Sequence, residues 1–471
     1  MTRQSNSDVP VEFLLAPEPS NARENTCYAA VMLGSVKTTF SRVISDPVTI
    51  VFDGQRIAAA RGEPVAVALV RAGKLALARS PKFHRPRGPS CLRAACDGCL
   101  ARVDDCPNVM TCMVEAREGM TVTSQNTLGS REVDLLRMTD WFFPEGLNHH
   151  ELFAGVPGVQ SLMQTFARRV AGLGRLPVAQ VAPRTARRRE VDAVVVGSGP
   201  AGMAVASRLA ARGRSVEVLD DALEPGGNVR ALLAEDAREW APIVDDFRAA
   251  VARGTLRMRT ATTAGAFYGE DLLVVGDDGA EVITARDFVL ATGGHDGVLP
   301  FEGNDVPGVM SARAAGLMLA RGVTVGERVL VVVSEGGGPF GEAYARAAKD
   351  ACEVTLVQGE PVRVSGSSRV RAVVVRDASG ERKIKADALL VDAPRAPAYE
   401  LCAHVGAHLR HEPRGFFVQA TKGKIARNVW AAGEVVGTPF EPKAIASAAE
   451  ELATQLAVPT PLAAPAASSA R

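Results

Sequence analysis

The sequence predicts an α/β protein with a parallel, Rossmann-like sheet, preceded by a small β-rich module. Three observations carry that expectation. From Val191 the chain reads VDAVVVGSGPAGMAVASRLAARGRSVEVLDD, a buried strand, a glycine turn, an Ala-rich helix and a second strand, and strands then alternate with helices to about residue 456. Upstream, five of the eight cysteines, Cys91, Cys96, Cys99, Cys106 and Cys112, fall within 22 residues. The composition, 47% hydrophobic with 44 Gly and 28 Pro in 471 residues, describes a globular chain of several domains with many tight turns.

Lys and Arg total 54 against 53 Asp and Glu, a formal charge of +1, which excludes a global field able to hold nucleic acid or an anionic membrane. The dominance of Arg over Lys is a compositional bias before it is chemistry. No apolar run reaches the roughly 18 residues a spanning helix needs, and the opening MTRQSNSDVPVEFLLAPEPSN lacks the order of a signal peptide. A cytoplasmic protein is expected.

Residues 1–45 read as a tail. At Val48, VTIVFDGQRIAAA alternates apolar and polar residues around Asp53-Gly54, a hairpin signal, and opens a module over 46–130 that continues through the helical EPVAVALVRAG to the cysteines and MTVTSQN. Residues 131–190 form a connector: an amphipathic WFFPEGLNHHELF, then RLPVAQVAPRTARRRE, in which Arg184, Arg187, Arg188 and Arg189 read as a solvated linker face. A dinucleotide-binding domain then spans 191–300 and resumes at 421–457 around a nested, similar domain at 301–420, and the Ala/Pro/Ser-rich end, 458–471, reads as disordered.

Cys91, Cys96 and Cys99 stand at C-x4-C-x2-C, with twelve residues between Cys99 and Cys112, the spacing of plant-type 2Fe-2S ligands with an unusually close fourth thiolate. Small residues at Ala94, Ala95 and Gly98 let backbone amides turn toward the sulfurs. Zinc is the structural alternative, although such sites usually combine two short Cys/His pairs. Cys106 reads as an incidental turn cysteine, and Cys27, Cys352 and Cys402 as structural.

Gly197, Gly199 and Gly202 form G-x-G-x-x-G directly between a strand and a helix, the context the motif requires. Gly197 permits the tight turn, Gly199 leaves room for a pyrophosphate, Gly202 allows close helix packing, and the helix N-terminus attracts phosphate. The second strand ends at Asp220, where the acid that binds a ribose hydroxyl is expected. After RVLVVV, Gly336, Gly338 and Gly341 repeat the motif, but Ser334 and Glu335 interrupt the junction and the next strand ends at Gln358 instead of an acid. NAD(P) binding there is left uncertain, with a retained fold lacking a nucleotide the favoured reading.

PGGN at Pro225–Asn228, FVLATGG at Phe288–Gly294 and NVWAAGEVVG at Asn428–Gly437 resemble two-dinucleotide-domain flavoprotein reductases. The resemblance implies FAD, with Gly227, Thr292, Gly293, Gly433 and Glu434 in its site; Glu434 stands where that group has Asp. SPKFHRPRG, WFFPEGLNHHELF, RRVAGLGRLP and LPFEGNDVPGVMSARAAGLML further resemble the alpha subunits of heterotetrameric sarcosine oxidase and of related opine, hydroxyproline and cyanide-forming dehydrogenases, over about 47–456, joined here to a ferredoxin-like 2Fe-2S subunit. That group's C-terminal folate-binding domain is missing, so full sarcosine oxidase activity is not implied.

The resemblance implies an electron-transferring FAD/2Fe-2S subunit of an amine or amino-acid dehydrogenase or oxidase, in a heteromer with a beta-type FAD-dependent subunit that oxidises the C–N bond. No catalytic base is identified; His84, His149, His150 and His295 qualify by residue type alone. The alternatives are an NAD(P)H-dependent FAD/2Fe-2S reductase, which the missing acid at Gln358 disfavours, and a redox-sensing or scaffold protein, which would need a regulatory domain. Substrate, direction of electron flow and final acceptor are not legible.

Overall fold

A computed structural model describes residues 46–80, 84–125, 185–233, 235–277 and 279–458, with residues 44, 159 and 161. Cys27, His149, His150, Arg184, the amphipathic stretch of the connector and both expected tails, save residues 44 and 458, lie outside the described residues. The described chain divides into two compact units, one holding 185–295 and 395–458, the other 46–125 and 296–394.

The first unit is built on a seven-stranded sheet. Val216–Leu219 lies between Leu256–Arg259 and Arg187–Val196, all parallel, and Arg187–Val196 pairs in parallel with Gly279–Leu290. The far end of Gly279–Leu290 also takes Val429–Ala431 as a parallel neighbour, while its beginning pairs antiparallel with Asp271–Gly276. The all-apolar run Val194–Val196 is buried, with Val194 and Val196 in a core that includes Phe267, Leu272, Phe288 and Val418. The helix Pro200–Ala211 that follows packs against Pro442–Gln455, where Arg208 and Arg212 meet Glu450.

Two expectations are corrected here. Arg187, Arg188 and Arg189 are not a linker face: they begin the long strand Arg187–Val196, and each reaches an acid, Glu281, Asp271, and both Glu217 and Glu281 respectively. Arg189 and Arg259 share Glu217 and Glu281 in a largely buried ion-pair network across four strands, while Arg187 and Arg188 remain exposed. The nested segment also ends near Pro394, not at 420, because Ala396–Pro397 pairs with Gly294–His295, and Leu401, Cys402 and Val418 enter the core of the first unit.

In the second unit, the hairpin Pro47–Phe52/Gln55–Ala60 turns at Asp53 and Gly54, both at positive φ, as the sequence predicts. Its five-stranded sheet also takes Thr121–Thr123, Leu100–Val103 and Cys106–Met110, and the helix Val65–Arg71 buries its apolar residues against it. The nested segment has four parallel strands in the order Val309–Ser311, Ala388–Asp392, Arg328–Val333, Glu353–Gln358, then a three-stranded antiparallel sheet over Glu360–Lys385. Among the described residues no helix is long and apolar enough to cross a membrane.

Candidate iron-sulfur and dinucleotide sites

The loop from Ser90 to Gly98 has no regular secondary structure, and its backbone is bent by two non-glycine residues in the left-handed region, Leu92 (φ 48°) and Ala94 (φ 56°). Such bends point successive N–H groups inward, a concavity suited to anions. The N–H groups of Arg93 and Ala95 donate to the Cys91 sulfur, that of Gly98 to Cys96 and that of Ala94 to Cys112. Gly98 could be no other residue: a Cβ there would lie 1.9 Å from the Gly88 carbonyl oxygen.

The sulfurs come as two pairs. Cys91 and Cys96 Sγ are 3.3 Å apart, and Cys99 and Cys112 form a second hydrogen-bonded pair in the buried core. Within each pair the sulfur–sulfur hydrogen bond lowers one thiol, Cys96 to about 6 and Cys99 below its usual value, and with burial raises the other, Cys91 and Cys112. Among the described residues no three Cys, His, Asp or Glu side chains converge on one point. A tetrahedral zinc site needs four donors around one ion, whereas a 2Fe-2S cluster needs two thiolates on each of two irons. The donor set fits the cluster. Cys106 lies apart, exposed at the start of a strand.

In the first unit every residue proposed for the dinucleotide gathers around the N-terminus of Pro200–Ala211. Gly197 has φ 101° and a Cβ there would strike the Ala291 carbonyl oxygen at 2.3 Å, while one on Gly202 would lie 1.9 Å from the Gly197 carbonyl oxygen. A Cβ on Gly199, by contrast, meets nothing within 4 Å. The turn is tight against the protein and open at the position where a pyrophosphate would pass, so these residues fit the group. Gly227 approaches Gly199, with 2.8 Å from a built Cβ to its Cα, and Gly433 packs on Ala201.

Asp220 faces the same turn: one carboxylate oxygen accepts from the Ser198 N–H and hydroxyl, both at 2.6 Å, and the other from the Ala222 N–H at 2.8 Å. Thr292 donates its hydroxyl to the Ala398 carbonyl at 2.6 Å, and the Gly293 carbonyl accepts from the Ala398 N–H. Glu434 is held by the buried Arg395 at 3.1 Å. The same guanidinium donates to the Gly294 carbonyl at 2.6 Å, and Asn228, its amide oxygen turned inward, accepts from it at 2.6 and 2.5 Å. The longer acid is thus met by a cation. Sequence reasoning missed Arg395, whose one signal was an Arg between two prolines in APRAP.

The second glycine turn is already filled. Asp392, at the end of the strand Ala388–Asp392, accepts from the Gly338 N–H at 3.1 Å and the Gly341 N–H at 2.6 Å, and its carbonyl accepts from the Ser334 N–H. Two backbone N–H groups of this turn are thus engaged by a buried carboxylate of the same segment. Of the candidate histidines, His295 pairs with Glu400 at 2.8 Å and His84 is buried in a loop whose Arg87 pairs with Asp305.

Residues 45–127 match the family model described as a 2Fe-2S iron-sulfur cluster binding domain, and 191–369 the one described as pyridine nucleotide-disulphide oxidoreductase. The sarcosine oxidase alpha subunit of Corynebacterium sp. (strain U-96) is 28% identical over 384 residues, 74% of this chain and 36% of that protein. An opine oxidase subunit of Agrobacterium tumefaciens (strain Ach5) is 33% identical over 171 residues, 32% of each. The HcnB subunit of hydrogen cyanide synthase from Pseudomonas aeruginosa is 34% identical over 163 residues, 31% of this chain and 33% of that protein. The matches to the sarcosine oxidase alpha subunits span only 17–41% of those proteins' length. In fold, the chain is similar to the crystal structure of L-proline dehydrogenase from P. horikoshii, with a TM-score of 0.66 at 19% identity, covering 90% of this chain and 75% of that one. The chain joins a 2Fe-2S cluster-binding domain to a pyridine nucleotide-disulphide oxidoreductase-type domain, and it is similar to sarcosine oxidase alpha subunits and to an opine oxidase subunit.

Proposed function

We propose that this chain is the electron-transferring subunit of a multi-subunit amine or amino-acid dehydrogenase or oxidase, receiving electrons from a beta-type flavoprotein that oxidises the C–N bond. The observation that carries this reading is Asp392 on the amides of the second glycine turn. A nicotinamide donor would have to displace that carboxylate, so a partner protein is the simpler source of electrons. Bound flavin exchanges one or two electrons and the cluster one at a time, a combination suited to relay.

The chain's own residues bind and orient. Gly197, Gly199 and Gly202 would seat the pyrophosphate at the helix N-terminus, Asp220 fixes the turn through Ser198, and Arg395 holds Glu434 and the Gly294 carbonyl beside the site. Cys91 with Cys96, and Cys99 with Cys112, would each take one iron. His295 pairs with Glu400 and His84 is buried, and neither is assigned a catalytic role. Cys106, Cys352 and Cys402, outside the cluster set, form no disulfide among the described residues, which suits a reducing compartment, and we place the protein in the cytoplasm.

Anaerobic mixing tests the reading. The isolated chain should remain oxidised with sarcosine, proline, glycine or an opine, and with NADH; each amine-driven reduction should need the co-expressed beta-type flavoprotein. Rapid flavin bleaching by an amine alone would place catalysis in this chain, and bleaching by NADH would favour the reductase.

A further inference from the structure

Arg313 is a nearly fully buried guanidinium at the start of the helix Ala312–Leu319, in the nested segment of the second unit. Its Nε donates to Asp296 Oδ1 at 2.7 Å and its Nη2 to Asp296 Oδ2 at 2.7 Å, a two-pronged ion pair. The same Nη2 donates to the carbonyl oxygen of Cys91, the first thiolate of the cluster loop. Three further contacts lock this arrangement. The Ser311 hydroxyl donates to Asp296 Oδ2 at 2.9 Å and accepts from the Ala314 N–H at 3.0 Å, and the Ser311 N–H donates to the Ser90 carbonyl at 3.0 Å.

We propose that Arg313 is a positioning residue of the iron-sulfur site: a buried cation, held by Asp296, that grips the backbone of Cys91 and sets the cluster's reduction potential. The physical argument is one of charge. A 2Fe-2S cluster with four thiolates is a dianion when oxidised, and taking up one electron makes it a trianion. A fixed positive charge beside it stabilises the reduced form more than the oxidised one, and a fixed negative charge does the reverse; away from water both effects are screened weakly. Arg313 and Asp296 therefore pull the potential in opposite directions, with the guanidinium the nearer because it touches the ligand's own peptide group. The inference rests on the cluster assignment and is independent of the relay reading.

The test is potentiometric titration of the full-length chain with FAD bound, following the reduced cluster by electron paramagnetic resonance and measuring acid-labile sulfide. R313Q should move the midpoint to more negative values and D296N to more positive ones, at unchanged sulfide content. R313K, which keeps the charge without the fork, should restore most of the potential while altering the spectrum of the reduced cluster. If R313Q does not retain its cluster, D296N and R313K carry the test. A purely structural contact would lower cluster content in all three variants and leave the remaining centres at the parent potential; that result, or shifts of the same sign in R313Q and D296N, would overturn the proposal. Stoichiometric zinc without labile sulfide in the parent chain would instead remove its premise.

Discussion

Gly199 and Gly202 stand three residues apart in one motif, yet the structure separates what a methyl group would do at each. At Gly202 a Cβ falls 1.9 Å from the Gly197 carbonyl oxygen, about 1.5 Å short of ordinary contact, and the obstacle is backbone, which cannot rotate away. The helix Pro200–Ala211 would have to lift off the strand it follows. Overpacking of this kind costs about 1–3 kcal/mol. For a unit of this size that is a fall in Tm of about 2–4 °C per kcal/mol in the cofactor-free protein, and a dinucleotide affinity weaker by roughly 5- to 150-fold if the whole distortion falls on the bound state. At Gly199 a Cβ meets nothing within 4 Å, and the backbone there, at φ −67°, suits any residue. G199A should therefore leave the apoprotein's Tm within about 1 °C of the parent while FAD retention drops, and G199V should abolish retention. Differential scanning fluorimetry of stripped and reloaded protein, with FAD titrated by flavin fluorescence, reads both quantities. An apoprotein Tm that falls as far in G199V as in G202A would refute the assignment of Gly199 to the ligand side.

Substituting Cys96→Ser should remove the iron-sulfide absorption while the flavin stays, whereas Cys106→Ser, remote from the paired sulfurs, should change neither chromophore. Asp392→Ala leaves the buried Gly341 N–H and the partly exposed Gly338 N–H without their acceptor, so the chain should lose about 1–3 kcal/mol, chiefly from the buried amide, read by urea denaturation; any binding of NADH should appear only in this variant. Burial acts to raise Glu217 and Glu281, but Arg189 and Arg259 outweigh it and hold both below the ordinary carboxylate range. Because their folded values are depressed, their contribution to stability is present above the ordinary glutamate pKa of about 4.3 and is lost as pH falls through and below it; E217Q should flatten that acid limb of the denaturation profile.

Local chemistry made much of the architecture legible. Asp53-Gly54 fixed a hairpin because both residues must take positive φ, and the VVVGSGPAG junction placed strand, turn and helix because each glycine has a steric reason. The four thiolates could be named from spacing, but their division into two pairs depends on how the core brings Cys112 to Cys99. Arg187–Arg189 read as a solvated linker because their partners Asp271, Glu217 and Glu281 are tens of residues away and meet them only across the sheet. Asp392 and Arg395 were missed for a related reason: each acts on a glycine or carbonyl far away in the chain, and nothing in LLVDAPRAP announces either contact.

The nested segment poses a question that its own contacts answer. Its glycine turn is bound by its own Asp392, and the strands Val309–Ser311, Arg328–Val333 and Ala388–Asp392 are buried and regularly paired. What those strands hold in place is the edge that receives the iron-sulfur loop. Ser311 and Arg313, at the junction of the first strand and its helix, bind Ser90 and Cys91; Asp305 pairs with Arg87; and Gly88 lies against Pro307 so closely that a Cβ would stand 3.2 Å from it. A buried carboxylate ties the glycine turn to the end of the strand Ala388–Asp392, which pairs with the strand leading to Arg313. Filling the turn and seating the cluster are then two consequences of one packing solution. Loosening the turn with Asp392→Ala should accordingly lower cluster content along with stability, measured as labile sulfide per chain after purification. A variant that lost stability but kept full sulfide would show that the cluster domain holds its loop unaided.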